Sequence, residues 1–464
     1  MLVYFIPVYL IATLAIGFWA SKKIKTSGDF TLAGKSLSIS FVGVTLFATW
    51  FGSSQIMGNP SHFVENGFSS FVTLVLGSGL CLLLAGMFYA RKLYRLNIVT
   101  IGDFFQSRYN KKIDLTISVI LVFSYPQWIA AQFVALGFLF NTVLGIPTEY
   151  GILLGASIVI LYTYIGGMWA VSYTDMLQSI MILLGLFILL WNILNETGGI
   201  TPIFADKPQS FFSFFPQGGI EQWSVYLATL MAFVLGALPG QEIWQRVFSA
   251  KSERAAVNGV VLGAFLLVLI PTVPLLIALG AAYLHPALMT VDEGQNIIPS
   301  IVSLYAGPLV QVLFYGALIS AILSTSSGAL LAPSTIIGEN LIRPNIPNMS
   351  DKKLLLYTRL SVIVVAVISC YFAYSDSDIV ALVVASVSLL LVCLFAPLTF
   401  GLFWKKSSVF GAWSAIIAGG LTWFCCWIFE TTIDATIYGT IASCLAMVAG
   451  SFVRPDNNIV KKRS

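Results

Sequence analysis

Thirteen apolar runs, most about twenty residues long, follow one another along the 464-residue chain with short polar breaks between them. A helix rises ~1.5 Å per residue, so about 20 apolar residues cross the ~30 Å hydrocarbon layer. Inside that layer each segment must satisfy its own backbone polar groups, which restricts runs of this length to transmembrane helices. They lie near 2–21, 36–58, 68–90, 114–143, 148–167, 169–194, 223–243, 255–284, 306–340, 354–375, 379–404, 409–430 and 432–453. Charged residues make up 9% of the chain, against about a quarter in soluble domains, so little is left for a soluble domain. The expected fold class is an all-α polytopic membrane protein of about 13 transmembrane helices. The longest runs, 114–143 and 306–340, predict tilt, bends or helix beyond the bilayer.

Charge placement orients the spans. With the N-terminus outside, alternation puts every one of the 24 Lys and Arg residues except Lys207 on the cytoplasmic side, Arg246 included. Such one-sidedness is the positive-inside pattern. It predicts a plasma-membrane protein (inner membrane in a Gram-negative cell) with its C-terminus cytoplasmic. The start of the chain lacks a signal-peptide pattern, so 2–21 reads as the first span. The lipid bilayer is a partner; the net charge of +4 gives no reason to expect nucleic acid. The six cysteines fall in apolar runs without a C-x-x-C pair and read as small apolar fillers. The longest loop, 195–222, carries Phe211, Phe212, Phe214 and Phe215 and reads as an interfacial aromatic loop.

Two spans are broken. Span 2 contains Gly52-Ser53-Ser54-Gln55 and span 7 contains Pro239-Gly240-Gln241-Glu242. Glycine weakens a helix, and proline removes a donor and frees a carbonyl. Spans 2 and 7 open consecutive blocks of five, and an odd number of crossings inverts the second block. Matching interruptions in inverted repeats point to a midplane binding site. The expected divisions are 1–35, a first span and cytoplasmic loop; 36–194, the first five-helix repeat; 195–222, the extracellular loop; 223–404, the second repeat; and 405–464, two further helices and a short tail.

Chemistry gathers at the same places. Asp175 stands about two turns inside span 6, where a carboxylate costs roughly 2.5–3.5 kcal/mol at a helix centre. It reads as a staging post for a cation, or as a carboxylate bonded to Thr174 or Tyr173 that holds helices together. On span 9, Ala321, Ser324 and Thr325 share one face. Their hydroxyls and the Ala321 carbonyl, with the carbonyls of Ala48 and Phe51 before the span 2 break, would make a five-oxygen sodium site. Against this, a membrane serine or threonine often bonds back to its own helix. Trp50 and Trp128, each beside a break, are candidate substrate contacts, because an aromatic face attracts a desolvated ammonium by about 2 kcal/mol. Gln55, Gly240 and Gln241 join them at the breaks. Glu242 reads as a boundary residue near the inner end of span 7, with Arg246 as its candidate partner.

The stretch Gly166-Gly167-Met168-Trp169-Ala170-Val171-Ser172-Tyr173-Thr174-Asp175-Met176-Leu177-Gln178 resembles the signature of the sodium:solute symporter family. Thr100-Ile101-Gly102-Asp103-Phe104 with Arg108-Tyr109 resembles its cytoplasmic motif, and Ala321 to Thr325 its sodium-site helix. The resemblance implies a LeuT-type 5+5 inverted-repeat core with one span before and two after. It also implies sodium ligation by Ala48, Phe51, Ala321, Ser324 and Thr325, with Asp175 close by. Ala48-Thr49-Trp50 and Gln245-Arg246-Val247 look most like the choline-transporter branch, where aromatics at the Trp50 and Trp128 positions help box a quaternary ammonium. The chain departs from that branch at Gly240, where the branch has tryptophan.

The expectation is a sodium-coupled symporter, not an enzyme, that imports a small polar organic solute such as choline by alternating access. Sodium is the coupling ion, and no cofactor or other metal is expected. An amino-acid (proline-like) or sugar/polyol substrate is the neighbouring reading. A channel would need a continuous polar path, and a membrane sensor would usually append a soluble domain. Oligomeric state is open at this stage.

Overall fold

The computed structural model describes residues 26–290 and 294–456, with scattered positions between 8 and 22. Eleven described helices are long and apolar enough to cross a membrane, or twelve with one bent pair. These match the second to thirteenth runs. Most of the first run lies outside the described residues; its described positions, Val8 and Trp19 among them, are helical.

The bent pair is α1 (Ile39–Trp50) and α2 (Ser54–Asn66), which meet at 63°. The sequence ended this span at Gly58; the helix instead runs on to Asn66, a π segment at Ser54–Gly58 leading into an α segment with Pro60 at its start. After α2 come α3 (Phe68–Tyr94), a short α4 (Ile101–Arg108) and α5 (Lys111–Leu144). Then follow α6 (Thr148–Ile165) and α7 (Gly167–Glu196). Gly167 separates these two with φ +50° and ψ −159°, and a Cβ there would lie 2.8 Å from the Phe30 carbonyl oxygen, so only glycine fits.

The second half repeats the theme. Helix α8 (Ile220–Met231) widens into a π segment through Gly236, and the chain turns before α9 (Gln241–Phe248). The Trp244 indole N–H donates to the freed Leu238 carbonyl at 2.7 Å, which satisfies the turn. Six more crossings follow: α10 (Glu253–Leu284), α11 (Pro308–Ile336), α12 (Asp351–Ser375), α13 (Ile379–Phe403), α14 (Val409–Ile428) and α15 (Ala435–Val453). The approach to α1 and the exit of α9 pair through Leu37 and Ala250, with Lys251 N–H donating to the Leu37 carbonyl at 2.9 Å. The two broken helices are thus tied end to end on one face.

Polarity is inverted relative to a soluble protein. Trp191, Phe265 and Tyr371 on the outer surface are 67–70% exposed, as a lipid-facing belt requires. Ser320, Ser324, Ser326 and Ser327 on α11 are 0% exposed at the centre. The 195–222 segment is more than an interfacial loop. It forms a helix at Ile200–Ala205 and buries Phe211 against Phe63, Val75, Leu275 and Leu279. Gly67 (φ +61°) makes this possible, since a Cβ there would run into the Phe211 backbone.

Candidate functional site

Helix α1 stops at Trp50, and Phe51 leaves the helical region with φ −91° and ψ 68°. Gly52 follows at the closest approach of three helices. A Cβ on it would stand 2.5 Å from both Gln132 Oε1 and Thr325 Oγ1. Gln132, on α5, accepts the Ser53 backbone N–H at 2.9 Å and so replaces one bond the break removes. A glycine for approach and an amide for compensation therefore hold the break open.

On one side of the break lies an oxygen cluster. Thr325 Oγ1 donates to the Ala48 carbonyl at 3.1 Å, and Ser324 Oγ donates to Asp175 Oδ1 at 2.5 Å. Asp175 is fully buried, and its Oδ2 has no hydrogen-bond partner among the described residues. An unpaired carboxylate oxygen in the membrane interior is costly, and either a cation or a proton offsets that cost. The neighbouring hydroxyls behave differently. Ser326 bonds back to the Ile322 carbonyl at 2.6 Å and Ser327 to the Ser324 carbonyl at 2.9 Å. Ser320 bonds to the Gly316 carbonyl and touches the Tyr9 hydroxyl. Back-bonding to the own helix thus accounts for Ser326 and Ser327, whereas Ser324 and Thr325 reach α7 and α1. Asp175 meets Ser324 rather than Thr174, whose hydroxyl contacts Tyr162 and the Val171 carbonyl. Ala321 and Phe51 are both fully buried beside this cluster, one on α11 and one at the break.

On the other side lies a cavity lined by Trp50, Ser54 and Gln55 of the broken span, Ser124, Tyr125 and Trp128 of α5, Glu242, and Val383, Ser386 and Val387 of α13. Trp50, Gln55 and Trp128 are therefore together. Gly240 and Gln241 are not in its wall. Gln241 Oε1 accepts the Ile101 N–H of α4 at 2.8 Å, pointing away from the cavity. Gly240 lies behind Glu242, where a Cβ would stand 2.5 Å from Oε1. The turn at Pro239 rotates α9 so that its second residue, and not its first, faces inward.

Glu242 is the main feature that sequence reasoning misplaced. It is 3% exposed, accepts the Tyr125 hydroxyl and belongs to the cavity, not to a boundary. Its expected partner Arg246 is fully buried rather than cytoplasmic. Arg246 donates to the Glu242 main-chain carbonyl at 3.2 Å and to Thr49 Oγ1 at 2.7 Å. Both residues were placed at the inner boundary because the apolar run ends near 243, whereas α9 stays buried through Phe248. Gln132 was also missed; an amide four residues after Trp128 in an apolar run was its only signal. A wider vestibule, lined among others by His62, Lys207, Phe211, Tyr226, Val380 and Val384, opens on the side of the 195–222 segment. Val380 and Val384 stand one turn from the cavity residues Val383 and Val387 on α13.

The same architecture occurs in known proteins. A Na+-coupled sialic acid symporter solved in a substrate-bound outward-open state superposes with a TM-score of 0.81 at 19% identity, covering 98% of each chain. Mhp1, a nucleobase-cation-symport-1 family transporter, superposes at 0.58 with 15% identity, covering 91% of this chain and 94% of its own. These likenesses establish the LeuT-type fold. Among sequences, a human high-affinity choline transporter is 26% identical over 436 residues, covering 89% of this chain and 74% of that protein. An osmoregulated proline transporter of Bacillus subtilis (strain 168) is 27% identical over 465 residues, covering 96% and 93%. The profile of the sodium:solute symporter family matches residues 30–419, and the chain belongs to that family.

Proposed function

We propose that this chain imports a small organic cation of the choline class in symport with sodium. One observation carries the reading. The two faces of a single helix break present an oxygen cluster with an unpaired carboxylate on one side and a two-tryptophan cavity on the other. Sodium takes the first site, held by the carbonyls of Ala48, Phe51 and Ala321, the hydroxyls of Ser324 and Thr325, and Asp175. The ammonium takes the second, between Trp50 and Trp128. Each ligand orders the same unwound segment, so binding of one favours the other, and the coupling is reciprocal. The five-helix repeats 36–194 and 223–404 then rock to expose both sites to the opposite side. The 195–222 side faces outward, both basic termini of the broken helices face the cytoplasm, and the membrane is the plasma membrane.

The cavity favours a cation over the proline-like or sugar reading. Among the described residues its wall holds one carboxylate and no Lys, Arg or His. A zwitterion would bring a carboxylate with no partner there, and buried unpaired charge is strongly disfavoured. The test is a thermal-shift screen of the purified protein against ammonium compounds, amino acids and sugars, with and without sodium. Stabilisation by ammonium compounds that requires sodium is the expected result. A sodium-dependent response confined to proline or a sugar sinks the substrate assignment. A sodium-independent response sinks the coupling.

A further inference from the structure

The cavity contains a buried carboxylate that a box for a quaternary ammonium does not need. Glu242 stands in the second position of α9, with its carboxylate held by the Tyr125 hydroxyl and with the Trp50 indole N–H nearby. Gly240 is what makes room for it. A Cβ at that position would lie 2.5 Å from Glu242 Oε1 and 2.6 Å from Oε2. Glycine and glutamate are thus a matched pair, in which the first lacks a side chain so that the second can fold back over the turn. Among the described residues, no other acidic or basic side chain lines the cavity. Arg246, one turn further along α9, hydrogen-bonds the Glu242 main-chain carbonyl and Thr49, not the carboxylate, whose side-chain hydrogen bond is to Tyr125.

A quaternary ammonium presents only C–H groups. It gains from aromatic faces but cannot donate an N–H to a carboxylate. A protonated primary, secondary or tertiary amine keeps the attraction to Trp50 and Trp128 and adds a charge-assisted hydrogen bond, about twice as strong as a neutral one. We propose that Glu242 is the substrate's counter-ion, and that it sets the substrate class as a small protonated amine with at least one N–H rather than a quaternary ammonium. This rests on the reading of the cavity as the substrate site of a cation symporter, and it deepens that reading by assigning specificity to one residue. Tyr125 is a positioning residue here, because its hydroxyl holds the carboxylate from the α5 side.

The experiment is a methylation series on the purified full-length protein with sodium present. Binding of ethanolamine, N-methylethanolamine, N,N-dimethylethanolamine and choline is measured by calorimetry or thermal shift. The ethanol backbone of the ligand is constant, and each step exchanges one N–H donor for a methyl group. The expected result is a break at the last step, with choline binding at least about tenfold more weakly than the tertiary amine. Glu242→Gln preserves size and an acceptor for Tyr125, and should remove that break by weakening the amines about tenfold or more while changing choline less. Gly240→Ala provides a second route, since its methyl group pushes the carboxylate aside with Glu242 intact, and should also flatten the series. The stabilisation by sodium alone, unchanged in Glu242→Gln, serves as the fold control. Choline binding as well as or better than the tertiary amine overturns the assignment while leaving a cation symporter standing. Sodium-dependent binding of none of the four overturns both.

Discussion

Asp175 illustrates how a single buried residue is decided by its unpaired atom. One oxygen is satisfied by Ser324, and the other by nothing among the described residues. A purely structural carboxylate would have both oxygens paired, because the interior offers no water to compensate. Asp175→Asn keeps an acceptor for Ser324 and removes the charge. It should weaken sodium affinity by about 10–100-fold while lowering the amount of folded protein less. Titrating sodium against thermal stability checks this, and parallel losses of affinity and folded protein would make the residue structural. Ser324→Ala with Thr325→Ala removes both hydroxyls that reach off α11. Sodium-dependent uptake should be lost, while the double variant still reaches the membrane, since each hydroxyl is replaced by a smaller apolar group. Uptake that stays sodium-dependent in proteoliposomes would remove the hydroxyls from the ion site. The Ser326 and Ser327 hydroxyls, which bond to their own helix, provide matched controls whose removal should leave uptake sodium-dependent.

Broken helices are elements whose geometry is fixed by what cannot be added to them. Gly52 has Thr325 and Gln132 where a side chain would begin, and Gly167 has the Phe30 backbone. Gly52→Ala should cost about 1–3 kcal/mol of stability by overpacking, together with loss of sodium binding, because the methyl group displaces the Thr325 hydroxyl. Gly167→Ala should cost a comparable ~1–3 kcal/mol through its positive φ, yet disturb sodium affinity less, since it lies two turns from Asp175. Thermal unfolding with a sodium titration separates the two, and equal sodium affinities would show that the break does not shape the ion site. At this scale the sequence was most informative about where helices run. Runs of apolar residues placed most described spans within a few residues, the far end of span 2 excepted, because the bilayer sets a length that composition must obey. The breaks were legible as glycine and proline, and the hydroxyl face of α11 as a helical spacing. What was not legible is the direction taken after each break. The restart at Gln241 turns Glu242 inward and Gln241 toward α4. That outcome depends on the tertiary contact of Trp244 with Leu238 and on the space left by Gly240, neither of which has a periodic signature.

Charge movement is a property of the whole molecule, and it reports what the cavity carries. Each elementary charge crossing the membrane contributes about 2.3 kcal/mol per 100 mV. One sodium with a monovalent organic cation moves two charges inward, or about 4.6 kcal/mol per 100 mV, whereas one sodium with a zwitterion or sugar moves one charge. Asp175, Glu242 and Arg246 are all fixed to the protein, so they alter the charge of the resting site but not the net charge delivered per cycle in a closed loop of transport. In proteoliposomes with sodium equal on both sides, a potential of 100 mV, negative inside, should then drive equilibrium accumulation by roughly 2,000-fold for a cation but only about 50-fold for a net-neutral solute. The measurement is the accumulation ratio as the potential is stepped by a potassium gradient with an ionophore. A slope near two charges per solute supports an organic cation carried with one sodium through the single oxygen cluster beside the α1 break. A slope of one with a zwitterionic solute would place the positive charge of the substrate and its negative partner in the cavity together. The Glu242 carboxylate would then have to be neutralised within the protein, by a proton or by Arg246, rather than by the cargo.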